Sequence, residues 1–299
     1  MSLVIVGSLA FDTIQTPFER REKIVGGSGT YCSLAASFFT RPKIVGVVGG
    51  DFPKDVLALF KRKRIDLRGL EVRRGKTFHW EGHYGHDPNQ RETIRTELNV
   101  FGDFRPKLPI SYRAADIIFL ANIDPALHDD ILAQLRRPAL VAMDTIKLWI
   151  ATKPEVLRGA LEKVDILFVN DEEIRLMTGE TNLMKASKKI LAVGPKLLVA
   201  KKGEHGALVF GRSFIFGVLG RLSENVVDPT GAGDSFAGGF LGYLDKMGKV
   251  TRPNLRRAAV YGSVLASFTI EDFGIERLKR LKPGEIEERF AEFRRLVSF

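Results

Sequence analysis

Six short apolar runs, at residues 4–6, 43–48, 117–120, 140–143, 166–169 and 197–200, constrain this chain more than any other feature. Most are unbroken rather than alternating, the pattern of strands buried on both faces of a parallel sheet. Helical periodicity falls between them, around residues 54–63, 126–135, 172–177 and 182–192. Strand and helix in alternation predict a doubly wound α/β fold with a mostly parallel central sheet. No repeat, low-complexity tract or Pro/Gly/Ser-rich linker interrupts the 299 residues, so one domain over residues 1–299 is the expectation. A hydrophobic share of 44% supplies a sizeable core for it.

Composition narrows the partners. The single cysteine, Cys32, excludes a disulfide framework and a cysteine-based zinc site. The chain enters a strand at Leu3 with no basic leader, and no apolar run nears the ~20 residues of a membrane span. A cytoplasmic protein with no membrane partner is the expectation. The net charge of +10 raises the question of nucleic acid. Its densest basic runs, at 61–64 and 73–76, sit at turn-like points with no nucleic-acid-binding motif around them. They read as a solvated surface, with no nucleic-acid partner.

One region breaks the rhythm. From Thr77 to Tyr84 the residues alternate, with Thr77, His79, Glu81 and His83 on one face and Phe78, Trp80 and Tyr84 on the other. After a turn-rich stretch at 85–89, Arg95, Glu97 and Asn99 oppose Ile94, Leu98 and Val100. This reads as an antiparallel ribbon inserted into an α/β chain.

Residues 228–240 read Asp-Pro-Thr-Gly-Ala-Gly-Asp-Ser-Phe-Ala-Gly-Gly-Phe and open a helical pattern in Phe236, Phe240, Leu244 and Met247. Gly231, Ala232 and Gly233 therefore lie at a helix N-terminus, where amides lack partners and the dipole favours an anion. No Gly-Lys-Ser/Thr follows, and Phe236 occupies the third glycine of a dinucleotide fingerprint, which excludes both common phosphate loops. Asp234 beside the cradle would repel a phosphate, unless it accepts a proton from whatever attacks that phosphate.

Over all thirteen residues this stretch resembles the signature of the ribokinase-like (PfkB-type) carbohydrate kinases. The resemblance implies a ribokinase-like sheet with a small antiparallel β lid, its strands inserted at about residues 9–23 and 72–104. It implies transfer of the terminal phosphate of ATP, or of ADP, to a hydroxyl of a sugar or polyol. A nucleoside is the alternative acceptor. Behind these come a phosphosugar, for which Arg91, Arg95 and Lys147 are the candidate cations, and a non-catalytic ligand sensor of the same fold.

The same resemblance assigns residues. Asp234 would be the general base, with the amides of Gly231, Ala232 and Gly233 as anion hole. Asp12, Gly26 and Gly27 would meet the substrate, with Tyr31 where many relatives carry Asn, and His79 and Asn99 on the lid's polar face. Asn170 and Glu173, an Asn-x-x-Glu element, would hold Mg²⁺ through its waters. Lys201, Gly203 and Gly206 would border the nucleotide together with Thr230, Gly231 and Gly233, and residues 254–262 would flank the adenine. Asp228 would hold a monovalent cation, K⁺. Asp144 is a further substrate-side candidate. The lid's aromatic face would cover the core or pair two subunits in a homodimer.

Overall fold

The structure is a computed structural model and describes residues 1–296. The chain runs through β1 (Leu3–Gly7), β2 (Ala10–Gln15), β3 (Arg20–Gly26), α1 (Ser28–Ala36), β4 (Lys43–Gly49), α2 (Lys54–Arg62), β5 (Asp66–Arg73), β6 (Phe78–Tyr84) and β7 (Arg91–Glu97). Next come β8 (Ile117–Ala121), α3 (His128–Leu132), β9 (Leu140–Asp144), α4 (Lys147–Thr152), α5 (Pro154–Leu161), β10 (Ile166–Asn170), α6 (Asp171–Thr178) and α7 (Leu183–Val193). The remaining elements are β11 (Leu197–Lys201), β12 (Ala207–Gly211), β13 (Phe214–Val218), α8 (Ala232–Met247), α9 (Arg252–Thr269), α10 (Glu276–Arg280) and α11 (Pro283–Leu296).

Strand geometry explains why the central runs are unbroken. Successive side chains point to opposite faces, and here both faces are covered. Leu3 and Ile5 of β1 join a core with α1, α2, α8 and α9, whereas Val4 and Val6 join a second core with α3 to α7. Full burial of such a side chain contributes about 1.5–3 kcal/mol, so neither parity of the strand can be polar without loss.

Nine strands make this sheet in the order β13-β12-β11-β10-β9-β8-β1-β4-β5. Pairing is parallel from β11 to β5, and antiparallel at β12 and β13. The chain winds from β1 out to β5, then crosses back to β8 on the other side of β1. Winding therefore reverses between β1 and β8. In open α/β sheets, ligands collect beyond the carboxyl ends of the strands at such a reversal. That point is tightly tied here: Ser28 Oγ donates to the Ala121 carbonyl at 2.7 Å, and the Gly29 amide to Ser8 at 2.8 Å.

A second sheet has the order β3-β2-β6-β7. Its two hairpins are antiparallel, and parallel pairing of β2 with β6 joins them, Asp12 opposite Trp80. The ribbon's second strand begins at Arg91, earlier than the alternation alone predicted, because the register slips between Glu81 and Gly82. Other differences are local. The periodicity at 126–135 resolves into a 3₁₀ turn and the short α3; β5, interrupted by charged residues, and the apolar β12 and β13 are strands beyond the six runs read from the sequence.

Helix α8 is held from two sides. Phe240 meets Phe168 of the sheet edge to face, with ring centroids 5.3 Å apart. Toward α1, Gly238 and Gly242 admit the neighbouring backbone: a Cβ at Gly238 would stand 2.3 Å from the Cys32 carbonyl oxygen. Gly238→Ala would gain about 0.5–1 kcal/mol of helix propensity, but overpacking costs about 1–3 kcal/mol, and a backbone oxygen cannot swing aside. The variant should melt at a lower temperature than the parent. An unchanged or raised Tm in thermal denaturation would show that α1 and α8 separate freely.

Candidate active site

The carboxyl ends of the central strands present the polar residues of the chain's apolar runs: Asp144 closes β9, Asn170 closes β10 and Lys201 closes β11. Asp12, on β2, follows β1 directly. Facing them is the start of α8. Gly231 precedes it at φ 77°, a left-handed conformation that glycine adopts without strain. A Cβ at Gly231 would also fall 2.4 Å from ring atoms of Tyr31. Tyr31 thus lies against the turn, 1% exposed, with a buried hydroxyl that has no hydrogen-bond partner among the described residues.

The cradle is narrower than its sequence suggested. The Ala232 amide donates to the Pro229 carbonyl at 3.2 Å, so it is spent within the turn. The amides of Gly231, Gly233 and Asp234 have no such acceptor among the described residues. Over them lies Lys201, whose Nζ would be 2.8 Å from a Cβ at Gly233. An ammonium resting on a helix N-terminus is a cation in the place of greatest positive potential. Its charge in turn favours the ionised forms of Asp144, Glu173 and Asp234.

Those acids are crowded. Asp234 is half-buried in the first turn of α8; burial raises it and Asp144 above the ordinary carboxyl range, the charge of Asp234 adding to the rise at Asp144 and that of Lys201 opposing it at both. Asp144 also accepts from the Asn122 amide. Asp12 is 3% exposed, and a Cβ at Gly26 would lie 1.8 Å from its Oδ2, which is why glycine stands there. Burial, then the charges of Asp228 and Asp234, push Asp12 from 3.8 to about 8, while Arg91 and the Gly27 amide oppose the rise.

Two sequence assignments take a structural role. Asp228 is fully buried, and its oxygens accept from the amides of Thr230 at 2.9 Å and Gly274 at 3.0 Å. It clamps the turn before the cradle, and burial raises it to about 6. Asn170 and Glu173 form a capping box on α6: Asn170 Oδ1 accepts from the Glu173 amide at 2.7 Å, and Glu173 Oε2 from the Asn170 amide at 2.9 Å. The residues still fit a magnesium ion. Glu173 keeps Oε1 free of protein partners among the described residues, in a buried carboxyl that Lys201 holds down against the effect of burial. No group of three or more potential metal-ligating side chains occurs among the described residues. The fit is therefore to an ion that retains most of its waters.

Strand parity corrects the lid. Register partners share a face, so Trp80 lies with Asp12, and Tyr84 has the same parity. Tyr84 reaches the cradle itself, where its Oη accepts from Thr230 Oγ1 at 3.0 Å. The aromatic face is the inner one. His79 sits on the outer face, hydrogen-bonded to Thr13 at 2.9 Å and Glu97 at 3.1 Å, and is not placed to meet a substrate. Asn99 is not on the ribbon. It falls in a 3₁₀ turn, where its amide donates to the Thr77 carbonyl at 2.9 Å. Of the three candidate cations, Arg95 pairs with Glu97 and Lys147 with Glu172, leaving Arg91 toward the acids.

The nucleotide-side turn is built by Gly203 and Gly206, at φ 54° and 84°. The lid loop touches it, with Asn89 Nδ2 donating to Glu204 Oε2 at 2.8 Å. Residues 254–262 lie within α9, where Leu255, Ala258 and Ala259 are buried in the core with α8. Sequence reasoning missed Tyr84 and Asn122 as site residues and left Asp144 without a partner. The signal for Asp144 was its place at the end of an unbroken apolar run.

The family model described as pfkB family carbohydrate kinase matches residues 2–278. A cytidine kinase of Thermococcus kodakarensis is 31% identical over 248 residues, covering 81% of this chain and 87% of that protein. The nucleoside kinase of Burkholderia thailandensis in complex with ADP-inosine superposes with a TM-score of 0.81 at 17% identity, over 97% of this chain and 95% of that one. A fructokinase of Vibrio cholerae O395, in its fructose, ADP and calcium ion bound form, gives a TM-score of 0.76 at 19% identity, over 93% and 96%.

The raised Asp12 makes a pH prediction. Folding takes up a proton there between about pH 4 and pH 8, so the stability it lends is whole below pH 4 and lost as pH rises through 8. Asp12→Asn removes that loss. In ligand-free protein, its Tm relative to the parent should climb steadily across this window; a difference that is flat with pH would contradict the assignment.

Proposed function

The chain is a kinase of the pfkB carbohydrate kinase family, and from that premise we propose that it moves the terminal phosphate of ATP to a hydroxyl of a nucleoside. One arrangement carries the reading: Asp234 beside three bare amides and Lys201, with Asp12 on the facing strand. The nucleoside is supported by the cytidine kinase relative and by aromatic surface, Trp80 and Tyr84, on the lid face that Asp12 shares. A sugar or polyol remains the second reading, supported by the family description and the fructokinase likeness.

In this reading the acceptor hydroxyl lies between Asp12 and Asp234. Asp12 orients neighbouring hydroxyls, and its retained proton lets it donate as well as accept. Asp234 takes the hydroxyl proton while the oxygen attacks the terminal phosphorus and the bond to the ADP oxygen breaks. The amides of Gly231, Gly233 and Asp234 and the Lys201 ammonium meet the charge on the transferred oxygens. Positioning and fixed charge do most of the work in such a transfer. Mg²⁺, when bound, offsets the charge of the nucleotide phosphates, with Asn170 and Glu173 holding its waters. A monovalent cation at Asp228 would share that carboxylate with two amides.

The whole chain acts as one kinase unit, and the four-stranded sheet is its lid. Closed over the site, it excludes the water that would compete as acceptor. Asp234→Asn should lower kcat by roughly 10²–10⁴, the share of a general base, with ATP affinity nearly unchanged. Near-normal turnover would remove Asp234 from its role. A coupled assay with ATP and ADP against nucleosides, sugars and polyols should give the highest kcat/KM with ATP and a nucleoside. A sugar preferred tenfold over every nucleoside would replace this acceptor by the second reading.

A further inference from the structure

Arg91 is the unexplained cation of this site. Register sets it opposite Tyr84 on the lid's inner face, and Tyr84 is bonded to Thr230, the residue before the cradle. Its guanidinium lies over the Trp80 ring, 5.1 Å from the centroid, which fixes its direction without using its N–H donors. Its lid neighbours behave differently: Arg20 pairs with Glu22 and Glu81, and Arg95 with Glu97. Arg91 makes no ion pair among the described residues, although its field reaches Asp12, Asp234 and Glu173 together. An exposed guanidinium resting on an aromatic face, with no ion pair among the described residues, has its donors available.

From this placement we propose that Arg91 binds the oxygens of the phosphoryl group in transit, opposite Lys201, so that the group is held between one cation from the lid and one from the central sheet. The proposal rests on the kinase reading above and adds a residue to it. Phosphate suits both partners: a planar fork takes two oxygens at once, and an ammonium acts as a point charge. The lid would then contribute charge to the transfer, besides excluding water.

The test compares Arg91→Gln and Arg91→Lys with the parent protein. Arg91→Gln should lower kcat by roughly 10²–10³, the cost of removing one donor to a developing oxyanion, and Arg91→Lys should restore part of it. Calorimetry with ADP and with a non-hydrolysable ATP analogue gives a second readout. The preference for the analogue should fall about tenfold or more in Arg91→Gln, while ADP affinity stays within about threefold and Tm is unchanged. Retained kcat with retained analogue preference overturns the proposal. So does an equal loss of ADP affinity, which would put Arg91 on the inner phosphates. A defect seen only with a phosphorylated acceptor, and not with a nucleoside, would assign it to the acceptor's phosphate and overturn it likewise. If the parent protein transfers phosphate to no acceptor, the kinase reading fails, and the analogue-to-ADP ratio still decides the place of Arg91.

Discussion

Everything in this molecule follows from where α8 begins. A helix N-terminus can grip an anion only if its bare amides are held still and facing a cleft. Here Phe240 against Phe168 fixes the helix on the sheet, and Gly238 and Gly242 bring it within backbone contact of α1. Helix α1 is in turn tied to the ends of β1 and β8 by Ser28 and Gly29. The cradle is thus pinned to the point where the winding of the sheet reverses. Larger side chains at those glycines would push it off that point.

Charge is the second constraint. Asp12, Asp144, Asp228, Asp234 and Glu173 all experience burial that favours their neutral forms. So many acids in one place are a poor choice for stability and a good one for proton handling. Most of the site's polar atoms are nonetheless used: Asp228 clamps a turn, and Asn170 and Glu173 cap a helix. The Tyr31 hydroxyl is a buried exception, with no partner among the described residues beside the turn of the cradle.

The central sheet was readable because both of its faces are covered, so that Ile166 to Val169 must be apolar at every position. The anion turn was readable because Gly231 needs a positive φ and space against Tyr31. What could not be read depended on pairing. His79 and Trp80 alternate in sequence, but which of them faces inward is set by the pairing of Trp80 with Asp12, far away along the chain. Asn99 continues the alternation in sequence while the backbone has already left the strand. The amide of Ala232 looked free because the turn that uses it is a matter of φ and ψ, not of side chains.

Two separated hydrogen bonds link the small sheet and its loop to the body of the protein, Tyr84 with Thr230 in the interior and Asn89 with Glu204 in water, beside an apolar cluster in which Ile14 and Tyr84 meet Phe273. Each contributes about 0.5–1.5 kcal/mol, the solvated one at the lower end. Together with that cluster they hold the small sheet against the turn that precedes α8. The interior contact is thus the stronger fastening of the small sheet to the body it covers.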